Sequence, residues 1–491
     1  MSNENKRYKL IRARYLLPMG AESGLPERVE DGYVLTDGET IREVGVFSEE
    51  VASKTLSECG SELEILGADE GKQSIPCHPG VLLPGFIKAH GHDHESPIIG
   101  IAKDVPLTPW LDRAVNLFTG FMDEHRSELE EIFGCSPNLV TYLKARVDDI
   151  SYGITSSVVH HCNHNKYRVD EIAKANRAAG TTMFIAVGSQ DRHYDERLLD
   201  SDPKIALDRL YRYVKEHGDI PRVTIIPGPD QFFSNGPEML KALKAWAKEH
   251  GTLFHIHSSE EPNTTRWFIE TYGMTPIEYA SSIGILDENT LLAHQVNCTE
   301  NDLKLIRDSG AMVVHNPLAN TILGSGMPPV MKMLEMGIPV AISTDGSGSA
   351  DNQNIISAIR LASQYQKAFH QDATLLPAKQ VLEMITAVPA KMLGLNAGVL
   401  APGKDADLTL VDLTSPNLVP TRLDNVMENL VWAANGNEIS QVMAGGRLLM
   451  KDGKLVTLDA RRICERVQKL SELLVEYAAT IKIKAQTGAP R

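Results

Sequence analysis

Eight short apolar, β-rich runs recur along the middle of the chain, and most of them end in polar residues. They read VLLPGFIKAHGH, ITSSVVHHCNH, TTMFIAVGSQD, VTIIPGPDQ, TLFHIHSSE, TLLAHQVN, AMVVHNPLAN and IPVAISTDGS. The stretches between them carry the period of a helix. PEMLKALKAWAKEHG sets Leu240, Leu243 and Trp246 on one face, and in CTENDLKLIRDSG Thr299 is an N-cap with Asp302 at N3. Strand and helix alternating eight times predicts an α/β architecture, the parallel (β/α)8 TIM barrel, whose reactive residues gather at the carboxyl ends of its strands. The polar endings stand where such a barrel does its chemistry.

With 491 residues the chain is longer than the roughly 250 a barrel needs. From Tyr8 to about Cys77 it reads as short β segments such as KLIRARYLL and IREVGVF, broken by turns and by an acidic stretch over residues 60–72. A second β region runs from Ala401 to Thr457, with DADLTLVDL, SQVMAGGRLLM and GKLVTL as strands. Two terminal β regions flanking one α/β region predict a small β-sandwich assembled from both ends. Asp459–Lys484 has helical spacing in Ile463, Val467, Leu470, Leu474, Val475 and Tyr477 and predicts a closing helix. The expected boundaries are 1–80 and 401–458 for the sandwich, 81–400 for the metal-binding barrel and 459–491 for the helix and tail.

Acidic residues exceed basic ones to give a net charge of −15, so the field around the protein repels phosphate backbones and anionic lipid, and nucleic acid is not an expected partner. The six cysteines form no C-x-x-C pair, which argues against a disulfide framework and for a reducing compartment. The opening residues MSNENKRYKL have no continuous apolar segment, and no run of about 18 apolar residues occurs, so the expectation is a cytoplasmic protein without a membrane span.

The first run closes on His90-Gly91-His92, and alternate residues of a strand face one way, so both imidazoles can point at one ion. The fifth ends in His255, Ile256, His257, Ser258, Ser259 and Glu260, an imidazole with a carboxylate three residues on. The sixth ends in His294. The eighth ends in Asp345 within AISTDGSGSADN, where Gly346 and Gly348 let the backbone turn tightly past a ligand. Three neutral imidazoles and one carboxylate form a borderline-hard divalent site with a position left for water, the composition of catalytic rather than structural zinc. Each residue taken singly is as well read as a buried polar group. Four separate strands supplying the right residue at the right end give the reading its weight.

The stretches LPGFIKAHGH, KDVPLTPWLDR, HIHSSEE, GMTPIEYASSIGILDENTLLAHQVNCT, NPLANTILGSGMPPVMKMLEMGIPVAISTDGSGSADN and GVLAPGKDADLTLVDL stand in an order that resembles the amidohydrolase superfamily. The likeness is closest to the branch of metal-dependent hydrolases containing chlorotriazine hydrolases, guanine deaminase and adenosylhomocysteine deaminases, and it runs from residue 80 to about 450. It implies that His90, His92, His257 and Asp345 ligate the metal and that Glu260 and His294 line the reacting centre. The dinuclear members bridge two metals with a modified lysine ending the fourth strand. VTIIPGPDQFF holds no lysine, so the resemblance implies one divalent ion per subunit, zinc, with iron(II) as the alternative. Pro229 and Asp230 stand where the branch more often has a histidine. A homodimer or homotetramer is the assembly the resemblance implies.

In this reading the metal lowers the pKa of water from about 15.7 toward 7. Asp345 takes the proton, His294 orients the water, and Glu260 protonates a ring nitrogen to make the adjacent carbon electrophilic. A protonatable ring nitrogen beside a carbon bearing a leaving group describes aminated purines, pyrimidines, pterins and triazines. The expected reaction is therefore hydrolytic deamination of such a small heterocycle, of the cyclic amidine kind, with release of ammonia. Removal of chloride or an alkylamine from an s-triazine-like ring is the first alternative. An inactive barrel acting as a scaffold is the remote one, and it predicts missing ligands where none is missing.

Selectivity falls to the loops. Trp110 either stacks on a planar ring or packs its helix. Gln190, Asp191 and Arg192 follow the third strand, Gln231, Phe232 and Phe233 the fourth, and either group could read ring edges. Arg192 either grips an anionic group or pairs with Asp191 and Asp195. His94, His160, His161 and His164 either touch substrate or support the site.

Overall fold

The computed structural model describes residues 6–68 and 74–487; residues 69–72 of the acidic stretch and 488–491 of the tail lie outside the described residues. Each of the eight runs contributes a parallel strand, in two four-stranded sheets. One sheet holds Phe86–Lys88, Ile154–His161, Thr182–Ser189 and Val223–Pro229, and the other Phe254–Ser258, Thr290–His294, Met312–His315 and Val340–Ile342. A parallel bridge between Gln231 and His257 joins the fourth strand's end to the fifth strand, so all eight strands run one way and their carboxyl ends open on one rim. At the other seam Ile87 N donates to Ile385 O (2.9 Å), Ile342 N to Met384 O (3.0 Å), and Ser343 Oγ to His90 O (2.5 Å).

Period-two alternation sorts the strand side chains. Ile87, Ala89, Val158, Phe184, Ala186, Ile226, Leu291, Val314 and Ala341 form one buried cluster contributed by both sheets. Their neighbours Val159, Ile185, Ile225 and Val313 pack the other way, into a core shared with Leu240, Leu243 and Trp246 of the helix Pro237–Glu249. Thr299 caps Glu300–Ser309, its Oγ1 accepting from Asp302 N while Asp302 Oδ2 accepts from Thr299 N, so the anticipated cap is a full capping box.

The two ends of the chain meet in one nine-stranded sheet. His78–Pro84 joins them, pairing parallel with Tyr8–Leu16 and antiparallel with Leu408–Asp412. This splits the first run: residues 81–84, expected in the barrel segment, belong to the terminal sheet, and the parallel strand begins after Gly85. The apolar run is continuous because both sheets bury it, and hydrophobicity alone marks no break. Gly85 makes the transfer, its N–H reaching Asp407 O (3.0 Å) while Phe86 N reaches Gly153 O (2.9 Å).

The last helix, Ala460–Thr487, buries Leu470 and Leu474 against Trp110, Phe118 and Phe121, whereas Val475, expected on its packed face, is 52% exposed. All six cysteines are unpaired, and among the described residues no helix is long and apolar enough to cross a membrane.

Candidate metal centre

The polar strand endings converge. His90 Nε2 lies 3.3 Å and His92 Nε2 3.5 Å from Asp345 Oδ1, and His257 Nε2 lies 3.2 Å from His92 Nε2. Gly91 between the first two histidines is required by closeness, since a Cβ there would stand 3.0 Å from Asp345 O. Asp345 itself adopts φ 70°, a left-handed conformation that a non-glycine residue takes at a cost. Its carboxylate is fixed by Gly346 N, which donates to Oδ1 at 2.8 Å.

Burial holds His90 and His92 well below the ordinary histidine range, aided for His90 by the neighbouring imidazoles, and brings His257 down to about 4. The three rings are therefore neutral, and their tautomers follow from their partners. His92 Nδ1 donates to His160 O (3.1 Å) and His257 Nδ1 to Asp230 O (2.7 Å), which leaves both Nε2 atoms as lone pairs. Two lone pairs facing each other at 3.2 Å repel unless a cation lies against both. His90 Nε2 is likewise buried without a hydrogen-bond partner, its ring held by a 3.0 Å bond between Nδ1 and His255 Nε2. Three orphaned imidazole nitrogens beside one carboxylate fit a divalent ion, and their Nδ1 contacts are the supporting bonds a metal-binding histidine needs.

Glu260 and His294 stand together beside this group, His294 Nε2 lying 3.6 Å from Glu260 Oε2 and 3.7 Å from Asp345 Oδ2. His294 also takes φ 77°, and its Nδ1 donates to Asn320 Oδ1 at 3.0 Å. Burial pushes the Glu260 carboxyl up to about 7. A cavity opens in front, lined by these residues, by Glu95 and Asp230, and by apolar side chains that include Leu107, Trp110 and Val115. Trp110 thus both lines the cavity and packs its helix.

The other candidates separate. His94 lines the cavity, and His160 packs behind the centre with its ring 4.5 Å from that of His257 and neither nitrogen hydrogen-bonded. His161 Nδ1 donates to Asn165 O (3.0 Å) and His164 pairs with Asp123 (2.8 Å). Arg192 is a local ion pair with Asp191 at 2.8 Å. Gln190 is turned inward to Lys166 (3.1 Å) and Phe232 is buried in the core, so neither reads a ring edge, while Gln231 lines the cavity.

Sequence reasoning missed Glu95, Asn320 and the support given by His255. Glu95 Oε2 accepts from Gly348 N (3.0 Å), Ser349 N (2.9 Å) and Ser349 Oγ (3.0 Å), tying the first loop to the eighth, and burial raises its carboxyl to about 8. The alternation in HGHDHE gives no sign of it, since His90, His92 and His94 are in step and Glu95 is not.

Residues 81–449 match the model of the amidohydrolase family, and the chain belongs to that family. It is 30% identical to a 5'-deoxyadenosine deaminase of Methanococcus maripaludis over 89% of this chain and 95% of the relative. A 5-methylthioadenosine/S-adenosylhomocysteine deaminase of Pyrococcus abyssi is 28% identical over 80% of this chain and 87% of its own. Among solved structures, atrazine chlorohydrolase from Arthrobacter aurescens complexed with zinc superposes with a TM-score of 0.82 at 21% identity, covering 94% of this chain and 100% of its own, a likeness of fold.

Proposed function

We propose that the protein is a metal-dependent hydrolase that deaminates an aminated N-heterocycle and releases ammonia. The observation that carries this reading is the convergence of His90, His92, His257 and Asp345 beside a Glu260–His294 pair facing one cavity. Deaminases at 28 to 30% identity over most of the chain support this leaving group over chloride or an alkylamine. The complete donor set stands against an inactive scaffold. In the same reading the two parallel sheets are halves of one (β/α)8 barrel over 85–400, the terminal sheet folds as the sandwich, and the enzyme is a cytoplasmic homodimer or homotetramer.

His90, His92, His257 and Asp345 would hold one divalent ion, zinc by analogy with the structural relative. Such an ion supplies hydroxide at neutral pH by acidifying water. Asp345 presents Oδ2 toward His294, and is placed to take the proton shed by that water. His294, its Nδ1 spent on Asn320, offers Nε2 between the two carboxyls and steers the oxygen toward the ring carbon. Glu260, near half-protonated at pH 7, gives a proton to the ring nitrogen. When the tetrahedral carbon collapses, the C–N bond breaks, the amine leaves as ammonia with the proton passed through these carboxyls, and the ring keeps a carbonyl.

The experiment is ammonia release from aminated purines, pyrimidines, pterins and triazines by zinc-loaded protein, with metal content measured for wild type and His257→Ala. One zinc per chain, lost in His257→Ala, and ammonia from one ring class are expected. Turnover of chlorinated or alkylamino rings with silence on all aminated ones would move the assignment to the triazine reading.

A further inference from the structure

The cavity and the pocket that adjoins it share a lack of lysine and arginine among the described residues. Glu95, Asp230, Glu260 and Asp345 line the cavity together with its apolar residues. The adjoining pocket shares Leu111 and Tyr194 with it and adds Asp112 and Asp195. Among the described residues lining either space there is no lysine or arginine. Cations on the adjoining loops are committed: Arg192 Nε donates to Asp191 (2.8 Å), Arg197 Nη2 to Asp195 (2.6 Å), and the buried Lys166 Nζ to Asp200 (3.0 Å).

Away from the metal centre, a substrate carboxylate or phosphate entering this space sheds its water and finds no lysine or arginine in exchange. A neutral substituent has the apolar side chains of Leu107, Trp110 and Val115 to lie against. We propose that the substrate carries no negative charge: it is an uncharged or cationic aminated heterocycle, and any substituent on the ring is free of carboxylate and phosphate. The proposal rests on the deaminase reading and adds the charge the ring can carry.

The test uses pairs that differ in charge and not in size, a ring bearing a carboxamide against the same ring bearing a carboxylate. Adenosine 5'-carboxamide and 5'-carboxylate form one pair, and pterin and triazine pairs are built likewise. For zinc-loaded full-length protein, kcat/KM for ammonia release and the shift in melting temperature are measured with each compound. On whichever ring is turned over, the carboxamide is expected to exceed the carboxylate by about 100-fold in kcat/KM and to shift the melting temperature where the carboxylate does not. Carboxylates within about threefold of their carboxamides, or no carboxamide shifting the melting temperature, overturn the proposal. If no ring releases ammonia the deaminase reading falls, while the melting shifts still decide whether the cavity selects against negative charge.

Discussion

Glu260 is 6% exposed, and burial outweighs the opposing pull of His294 to bring its carboxyl from 4.5 up to about 7. A general acid must hold its proton before giving it. The sign follows: the acid's contribution to kcat is full below about pH 7 and declines tenfold per unit above it, as the folded-state proton is lost. Glu260→Gln has no proton to give, so its kcat falls by about 10² to 10⁴ and the alkaline bend disappears. A pH profile of kcat on the best substrate, for both forms at equal zinc content, checks this, and a wild-type profile flat through the alkaline limb would refute it. Glu260 was legible because it stands three residues past a strand-end histidine, and His90, His92, His257, His294 and Asp345 were legible as ends of apolar runs. Glu95 and Asn320 were not. Their partners lie 253 and 26 residues away, Gly348 and His294 respectively, and nothing in the local pattern marks a side chain whose work is to hold another one still.

Between the terminal sheet and the parallel strands a single residue carries the chain across. A Cβ on Gly85 would stand 2.3 Å from Thr155 Oγ1, and Thr155 is fully buried, so neither side has room to give. Gly85→Ala is expected to destabilise by about 1–3 kcal/mol through overpacking, and Thr155→Ser, which removes the second close atom (Cγ2, 2.4 Å), to recover part of that loss. Denaturation of the two single variants and the double variant measures it; strictly additive losses would show that the two sites do not press on each other. The same junction explains what the sequence could not display. Alternation and helical period announce a strand or a helix, and they announced these, including the cap at Thr299. They carry no information on which sheet claims a strand when both sheets bury it, so the split at Gly85 was invisible. The closing helix was visible from its apolar spacing, but Val475 was misplaced, because Leu474 takes the packed face and the neighbouring position turns away from it.

At the scale of the molecule the centre is a clamp. The candidate donors come from the loop after the first strand of one sheet and from the fifth and eighth strand ends of the other, so one cation bound there would tie the two sheets together at the rim. An ion bound by the folded chain and not by the unfolded one stabilises by RT ln(1 + [ion]/Kd), about 2.7 kcal/mol at a hundredfold excess over Kd. Chelation is therefore expected to lower the melting temperature, zinc to restore it, and His257→Ala to melt at one temperature with or without chelator. Acid acts on the same clamp through proton competition. Because burial holds His257 near 4, against an ordinary value of 6.5, its nitrogen remains available to the ion as pH falls through the range where an exposed histidine would protonate. Zinc content measured after equilibration at stepped pH should stay at one per chain through pH 6 and fall only as pH approaches about 4. Release centred near 6.5 would mean that these imidazoles are solvated in solution, and the neutral, cation-ready geometry read from their Nδ1 bonds would be lost with it.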